Sequence, residues 1–471
     1  MLATGVAATV LAVGVHPGTA DAEDAFTPGA AGIGDSYFPL DGNGGYDVGH
    51  YDLALKYDPL PGSIAGVATI TATATQNLSR FDLDFIGLTV RAITVNGSEA
   101  KWTREGQELT ISPAAGLPKG KKFTTVVTYD GIVDPLLTGS DGSGFARTLT
   151  GAAFAGEPHG ASSWFPVNEH PLDRASYTVH ADVPKGLTAI SNGALTGEQT
   201  TGDRTVWTWD AKEPRASYLS LLAVGDYNLS AYEKRGVRYW DAVDKPLGPG
   251  YAKNALAAQP RVLDVLGSLF GKYPFDIAGG VVPAAGIGFA LETQTRPVYS
   301  PKFFTDGGGE GVIVHELAHQ WFGDDLPIAS WRNIWLNEGF ASYAQWLYAE
   351  KTGGPSADAA FAQAWTDTDG DADFWKVRIG DPTPANLFSG SVYTRGAMTL
   401  HQLRKVVGDA TFSKLMKTWV ATHAGTNVTI EQFIATAEKV SKRDLKDFFN
   451  VWLFTGAQPT LPGPGGPAPQ Q

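Results

Sequence analysis

The sequence predicts an α+β protein built from two successive domains, an antiparallel sandwich-like β-domain and then a mostly helical one. Two observations carry that expectation. From about Tyr46 to Tyr227 apolar residues recur every second position in short runs separated by Gly, Pro and Asn, whereas beyond Gly250 the period lengthens to that of helices. A chain of 471 residues, 43% of them hydrophobic, is also too long to fold around one core.

Taken in order, "MLATGVAATVLAVGVHPGTADAEDAF" has an apolar stretch from Leu2 to Val15 and an Ala20-Asp21-Ala22 triplet, so residues 1–22 are expected to be a secretory signal peptide, although no positive residue precedes the apolar stretch. The β-domain is assigned to 23–228. In it "HYDLALKYD" alternates Tyr51, Leu53, Leu55 and Tyr57, "FDLDF" alternates Phe81, Leu83 and Phe85, and Asn96-Gly97 supplies a hairpin turn. The second domain is assigned to 229–457. "YAKNALAAQPRVLDVLGSLFG" is helical in period, "GGVVP" and "GFALETQTRPVYS" read as strands, and the chain after Gly311 is mostly helix. In "NVTIEQFIATAEKV" Thr429 is the expected N-cap with Gln432 at N3, flanked by a Val428–Phe433 staple. The Pro/Gly-rich tail, 458–471, is expected to lack structure.

A net charge of -13 with no basic cluster argues against a nucleic-acid partner. No stretch after the N-terminus has the length and apolarity of a membrane span, so no membrane partner is expected. The absence of cysteine excludes disulfides, thiol nucleophiles and sulfur ligation, which leaves His and carboxylate as the donors for any metal.

The chain has only 9 histidines, yet "VIVHELAHQW" places His315 and His319 one helical turn apart with Glu316 between them. Side chains four apart share a helix face, about 5–6 Å apart at Cβ, so both imidazoles can close on one ion while Glu316 reaches past it. Glu338, in "WLNEGFASY", follows at a distance that lets the first helix end near Gly323, the chain turn through Pro327, and a second helix deliver a carboxylate to the same place. Two His and one Glu leave a fourth position open for water, as in catalytic rather than structural zinc sites. Glu316 is then placed to take a proton as that water attacks a carbonyl. "DTDGDADFW", with Asp367, Asp369, Asp371 and Asp373 alternating, reads either as a calcium loop or as a solvated acidic loop.

H-E-L-A-H-Q-W-F-G followed by W-x-x-I-W-L-N-E-G-F-A resembles the zinc aminopeptidases of the aminopeptidase N type, a gluzincin family with a thermolysin-like catalytic domain. The family's G-A-M-E-N signature corresponds to "FALET", in which Ala290 and Glu292 are retained and Phe289 and Thr293 depart. "SVYTRGAMTLHQLR" is similar to the family's Tyr-x-(Lys/Arg)-Gly-Ala segment, and "GEPHGASSWFPVNEHP" to its Glu-(x)7-Phe-Pro-x-x-Asp/Glu-x-Pro segment. The resemblance implies one Zn2+ per chain on His315, His319 and Glu338, and catalysis by Glu316 and Tyr393. It also implies substrate binding by Ala290, Glu157 and Glu292, the two carboxylates receiving the free amine of a peptide. Because few residues follow Tyr393, the expected protein is a short secreted bacterial form without the large helical C-terminal domain of larger relatives.

Three other readings use the same residues. A gluzincin endopeptidase would not need Glu157 and Glu292, and an epoxide-hydrolysing relative of the leukotriene hydrolase kind would need the missing C-terminal domain. A non-catalytic zinc- or peptide-binding scaffold would need neither Glu316 nor Tyr393.

Overall fold

A computed structural model describes residues 25–133, 144–248 and 250–461. The expected signal peptide and residues 462–471 of the expected tail lie outside them. The alternating residues of "HYDLALKYD" form the strand Tyr46–Asp58, whose Tyr51, Leu53, Leu55 and Tyr57 are all buried on one face. It pairs antiparallel with Ser63–Ala74 and belongs to an eight-stranded sheet. Asn96 and Gly97, both at positive φ, turn Thr89–Val95 into Ser98–Glu99 as the Asn-Gly pair predicts.

The structure corrects the all-antiparallel expectation in two places. Ala175–Pro184 lies parallel to Tyr46–Asp58, with Tyr177 opposite Tyr51, and Thr27–Pro28 lies parallel to Leu78–Asp84. In Leu78–Asp84 the polar face is buried as well. Asp84 is 1% exposed and accepts hydrogen bonds from Gly42 N at 3.2 Å, Asn43 Nδ2 at 3.1 Å and Glu169 N at 2.8 Å. A carboxylate stripped of water needs such donors, and it gathers three segments around itself.

The strand Tyr227–Lys234 opens a five-stranded sheet that also contains Val237–Asp244, Ile277–Val282, Val298–Tyr299 and, at its edge, Ala290–Leu291. The domain division expected at 228/229 therefore falls inside a strand, and the chain changes sheets between Gly225 and Tyr227. The helices that follow include Gln259–Phe270, Glu310–His319, Trp335–Lys351, Gly390–Val407, Asp409–His423 and Ile430–Ser441. Thr429 caps the last of these with the reciprocal Gln432 bond, and Val428 and Phe433 are buried in the same core. The tail retains contacts past 458: Gln458 bonds Asp369 at 3.1 Å, and Leu461 packs beside Phe361 and Trp452.

Buried polar groups join the two domains. Asn192 Nδ2 donates to Leu219 O at 2.9 Å and to Gln294 O at 2.8 Å. Arg296, fully buried, donates to Ser191 O, to Gly193 O at 3.1 Å and to Trp240 O at 3.2 Å. Near the start of the described chain, Asp35 accepts from Trp331 N at 2.8 Å and pairs with His170 at 3.1 Å, linking the β-domain to the segment that leads into Trp335–Lys351.

Candidate metal centre and active site

His315 and His319 occupy the last two turns of Glu310–His319, and Glu338 the first turn of Trp335–Lys351. The first helix ends at His319, four residues earlier than expected, and Gly323 at φ 130 turns the chain away. Glu338 Oε2 lies 3.1 Å from His315 Nε2 and 3.4 Å from His319 Nε2. Those are close to the edges of a tetrahedron with bonds of about 2.0–2.1 Å, roughly 3.3 Å.

The ring orientations are fixed from behind. His319 Nδ1 faces Phe322 O at 3.0 Å, and His315 Nδ1 faces Gln345 Oε1 at 3.3 Å. Gln345 is itself held by its donation to Gly311 O at 2.9 Å. Both acceptors are oxygens, so each Nδ1 carries the proton and each Nε2 presents a lone pair inward. The donor set therefore fits zinc.

Glu292, Glu316 and His319 form a second group whose ligand atoms lie within 4.8 Å of one another. His319 has one inward nitrogen, so the two groups describe one ion position with Glu292 and Glu316 beside it. Burial raises the Glu316 carboxyl well above the usual carboxylate range; His319 opposes that, and Glu292 and Glu338 reinforce it. Glu338 behaves oppositely: burial pushes it up, but His319 and His315 outweigh that and hold it at about 2.

Glu292 follows the edge strand Ala290–Leu291, which pairs through Ala290 with Tyr299 and leaves its outer edge free of any strand among the described residues. Gln320, next to the ligand His319, donates to Glu292 O at 3.0 Å and accepts from Thr295 N at 2.7 Å. Glu157 comes from the β-domain. Burial lifts its carboxyl well above the ordinary range, and Glu292, Glu338 and Glu316 act on it in the same sense, which places it at the same site. Its loop is anchored by buried Glu169, which accepts from Gly160 N at 2.8 Å, Ala161 N at 2.6 Å and Ser162 N at 3.0 Å.

Tyr393 stacks on His315, ring centroids 5.8 Å apart and 21° from parallel. Burial and four carboxylates raise its pKa well above that of an ordinary phenol, so its hydroxyl stays a donor. Two residues on, Arg395 donates to five carbonyls, those of Trp375, Val377, Val451, Trp452 and Thr455, and fixes the start of the helix that carries Tyr393.

The structure thus brings together His315, His319, Glu338, Glu316, Glu292, Glu157 and Tyr393, with Ala290 on the adjoining edge. Sequence reasoning missed Gln345, Gln320, Glu169, Tyr218 and Asn337. Gln320 and Asn337, adjacent to ligands, carried a local signal, and so did Glu169, which fills the Asp/Glu position of the Phe-Pro-x-x-Asp/Glu-x-Pro segment. The four acidic residues of the 367–373 loop turn to separate partners: Gln363, Gln458, the backbone N of Phe374 and Lys376. None belongs to a metal-holding group among the described residues. No helix among those residues is long and apolar enough to cross a membrane.

Comparison with known proteins converges on one family. Residues 48–219 match the Peptidase M1 N-terminal domain and residues 308–452 the Peptidase family M1 domain. Aminopeptidase N of Streptomyces lividans is 27% identical over 453 residues, covering 86% of this chain and 49% of that protein. The chain spans about half the length of curated relatives that it matches, such as this one. The crystal structure of an M1 zinc metallopeptidase from Deinococcus radiodurans superposes with a TM-score of 0.83 at 30% identity, covering 92% of this chain and 100% of that one. A mutant of that enzyme bound to a Tyr-Ser-Ala substrate superposes with a TM-score of 0.82 at 29% identity.

Proposed function

Because the chain belongs to peptidase family M1, we propose that it is a zinc aminopeptidase removing residues from peptides with a free N-terminus, and that it acts after export. The observation that carries the reading is the pair of carboxylates, Glu157 and Glu292, in the cluster that contains Glu316 and the His315–His319–Glu338 donor set. Two buried carboxylates beside a scissile position attract an ammonium group and disfavour the interior of a peptide. The Streptomyces relative is named an aminopeptidase, and the Deinococcus mutant holds a short peptide, which supports the substrate class.

His315, His319 and Glu338 would hold the zinc ion, which when bound would supply a Lewis acid and bring the pKa of a water down to about 7. The remaining roles belong to the protein. The outer edge of Ala290–Leu291 offers backbone groups to an extended peptide, as an added strand. Glu157 and Glu292 accept hydrogen bonds from the α-ammonium and so set which carbonyl faces Glu316. Glu316, made more basic by burial, takes the proton of the attacking water and returns it to the leaving amine. The Tyr393 hydroxyl donates to the carbonyl oxygen as negative charge grows on it.

The test compares a free aminoacyl peptide with its acetylated twin. Acetylation removes the cation and leaves two buried carboxylates without it, a loss of roughly 3–5 kcal/mol, or on the order of 10²–10³-fold or more in kcat/KM. Comparable cleavage of both would move the assignment to an endopeptidase. Export rests on the Leu2–Val15 apolar stretch and the Ala20-Asp21-Ala22 triplet. Recovery of protein beginning at Glu23 from culture medium supports it, and recovery of the intact N-terminus from cells refutes it.

A further inference from the structure

Tyr218 lies outside every motif that marks the site, at the end of the β-domain in the short helical turn Ser217–Leu219. It is 2% exposed, and its hydroxyl reaches the metal cluster. The phenol donates to Glu292 Oε1 at 3.3 Å and accepts from Asn337 Nδ2 at 3.5 Å. Asn337 is fully buried and immediately precedes the ligand Glu338. The Tyr218 ring rests edge-on against Trp331, centroids 5.3 Å apart, on the segment leading into the same helix.

The chain leaves room for this arrangement. A Cβ on Gly323 would stand 3.2 Å from Asn337 Nδ2 and 3.5 Å from the Tyr218 hydroxyl, and its φ of 130 favours glycine in any case. Burial and the surrounding carboxylates keep the phenol protonated, so it has one hydrogen to give, and Glu292 receives it. The backbone of Glu292 is pinned separately by Gln320 of the catalytic domain.

We infer that Tyr218 is a positioning residue for amine recognition: with Asn337 behind it, it aims the Glu292 carboxylate at the N-terminus of the bound peptide from across the domain interface. This rests on the aminopeptidase reading, because a carboxylate needs such aiming only where it must meet a cation in one direction. It also makes the amine subsite a joint product of both domains, since Glu157 and Tyr218 come from one, and Glu292 and Asn337 from the other.

The test is a double-substitution cycle on the full-length zinc-loaded chain, read with a free aminoacyl substrate and with a peptide hydroxamate that lacks the amine. Tyr218→Phe keeps the ring on Trp331 and removes only the hydroxyl. It is expected to raise KM for the free-amine substrate roughly 10–100-fold, the scale of one hydrogen bond to a charged group, with kcat nearly unchanged. Zinc content and hydroxamate affinity are expected to match wild type, and in a Glu292→Gln background the same substitution should cost nothing further. An unchanged KM, an equal loss toward the hydroxamate, or a loss that persists without the Glu292 carboxylate would overturn the inference. Asn337→Ser, at the other end of the relay, supplies the same comparison should Tyr218→Phe fold poorly. Glu292→Gln alone separates the two levels. If it leaves the preference for free amines intact, the amine reading falls with the relay; if it abolishes that preference and Tyr218→Phe does not weaken it, only the relay falls.

Discussion

Glu316 and Glu338 are chemically identical side chains that the fold places in different employment. Glu338 is held at about 2 by the two imidazoles, so it is a ready anionic ligand, whereas burial leaves Glu316 basic. Glu316→Gln is therefore expected to keep about one zinc per chain and lose nearly all turnover, because the amide preserves shape and removes the base. Glu338→Ala is expected to lose the metal itself, since two imidazoles alone bind weakly. Elemental analysis alongside kinetics distinguishes the two, and a zinc-loaded Glu316→Gln enzyme with near-normal activity would remove Glu316 from the chemistry. The ligands were legible because a helix imposes a fixed spacing on them. Tyr218 and Gln345 were not, because nothing local announces a residue that acts through a neighbour distant in sequence.

Among the elements, legibility followed the range of the interaction that makes each one. The Asn96-Gly97 hairpin and the Thr429 cap are decided within four residues, and both stand as the sequence implies. The parallel pairing of Ala175–Pro184 with Tyr46–Asp58 joins segments more than a hundred residues apart, and periodicity names a strand without naming its neighbour. "GFALETQTRPVYS" shortens to two-residue strands because Thr295, at φ 67, turns the chain so that Arg296 can reach the β-domain. The loop that carries Glu157 depends on Glu169, whose carboxylate accepts three successive N–H groups. Glu169→Gln leaves one acceptor oxygen in place of two. It is expected to cost about 1–3 kcal/mol of stability and to raise KM for free-amine substrates with zinc content unchanged. Thermal melts, metal analysis and a KM measurement check it, and an unaltered KM would mean that the loop holds its shape without this anchor.

At the scale of the whole molecule, burial leaves the fold holding protons that an unfolded chain releases. Burial lifts Glu108 to about 7, Asp173 to about 8 and Asp241 to about 7. Asp173 shows why: Oδ2 accepts from Val48 N and Asn168 Nδ2, while buried Oδ1 has no hydrogen-bond partner among the described residues and is the natural seat of a proton. Raised carboxyl pKa values mean that the folded chain binds more protons than the unfolded one, so this stability is complete near pH 4 and is lost as pH rises through 7 to 8. Asp35 has the opposite sign: burial opposes its ionisation, but His170 and the N–H groups of Trp331 and Tyr37 hold it well below the usual range, so its contribution fades only in acid. With zinc in fixed excess, the urea midpoint should be lower at pH 9 than at pH 6.5. An equal or higher midpoint would mean that these carboxyls ionise without penalty.

The crowding of Glu292, Glu316 and His319, with ligand atoms all within 4.8 Å of one another, would make the site a measuring stop for the proposed peptide substrate. On the proposed aminopeptidase reading, a peptide laid along the open edge strand would stop where its ammonium meets the carboxylates, and one residue would then overhang the point of attack whatever its side chain. Length along the backbone is what such a gauge reads. A peptide beginning with a β-amino acid, longer by one methylene, carries its first carbonyl about 1.5 Å too far. At a site where a displacement of about 1 Å can cost 10²-fold, that peptide should seat normally, compete with substrates and go almost uncut.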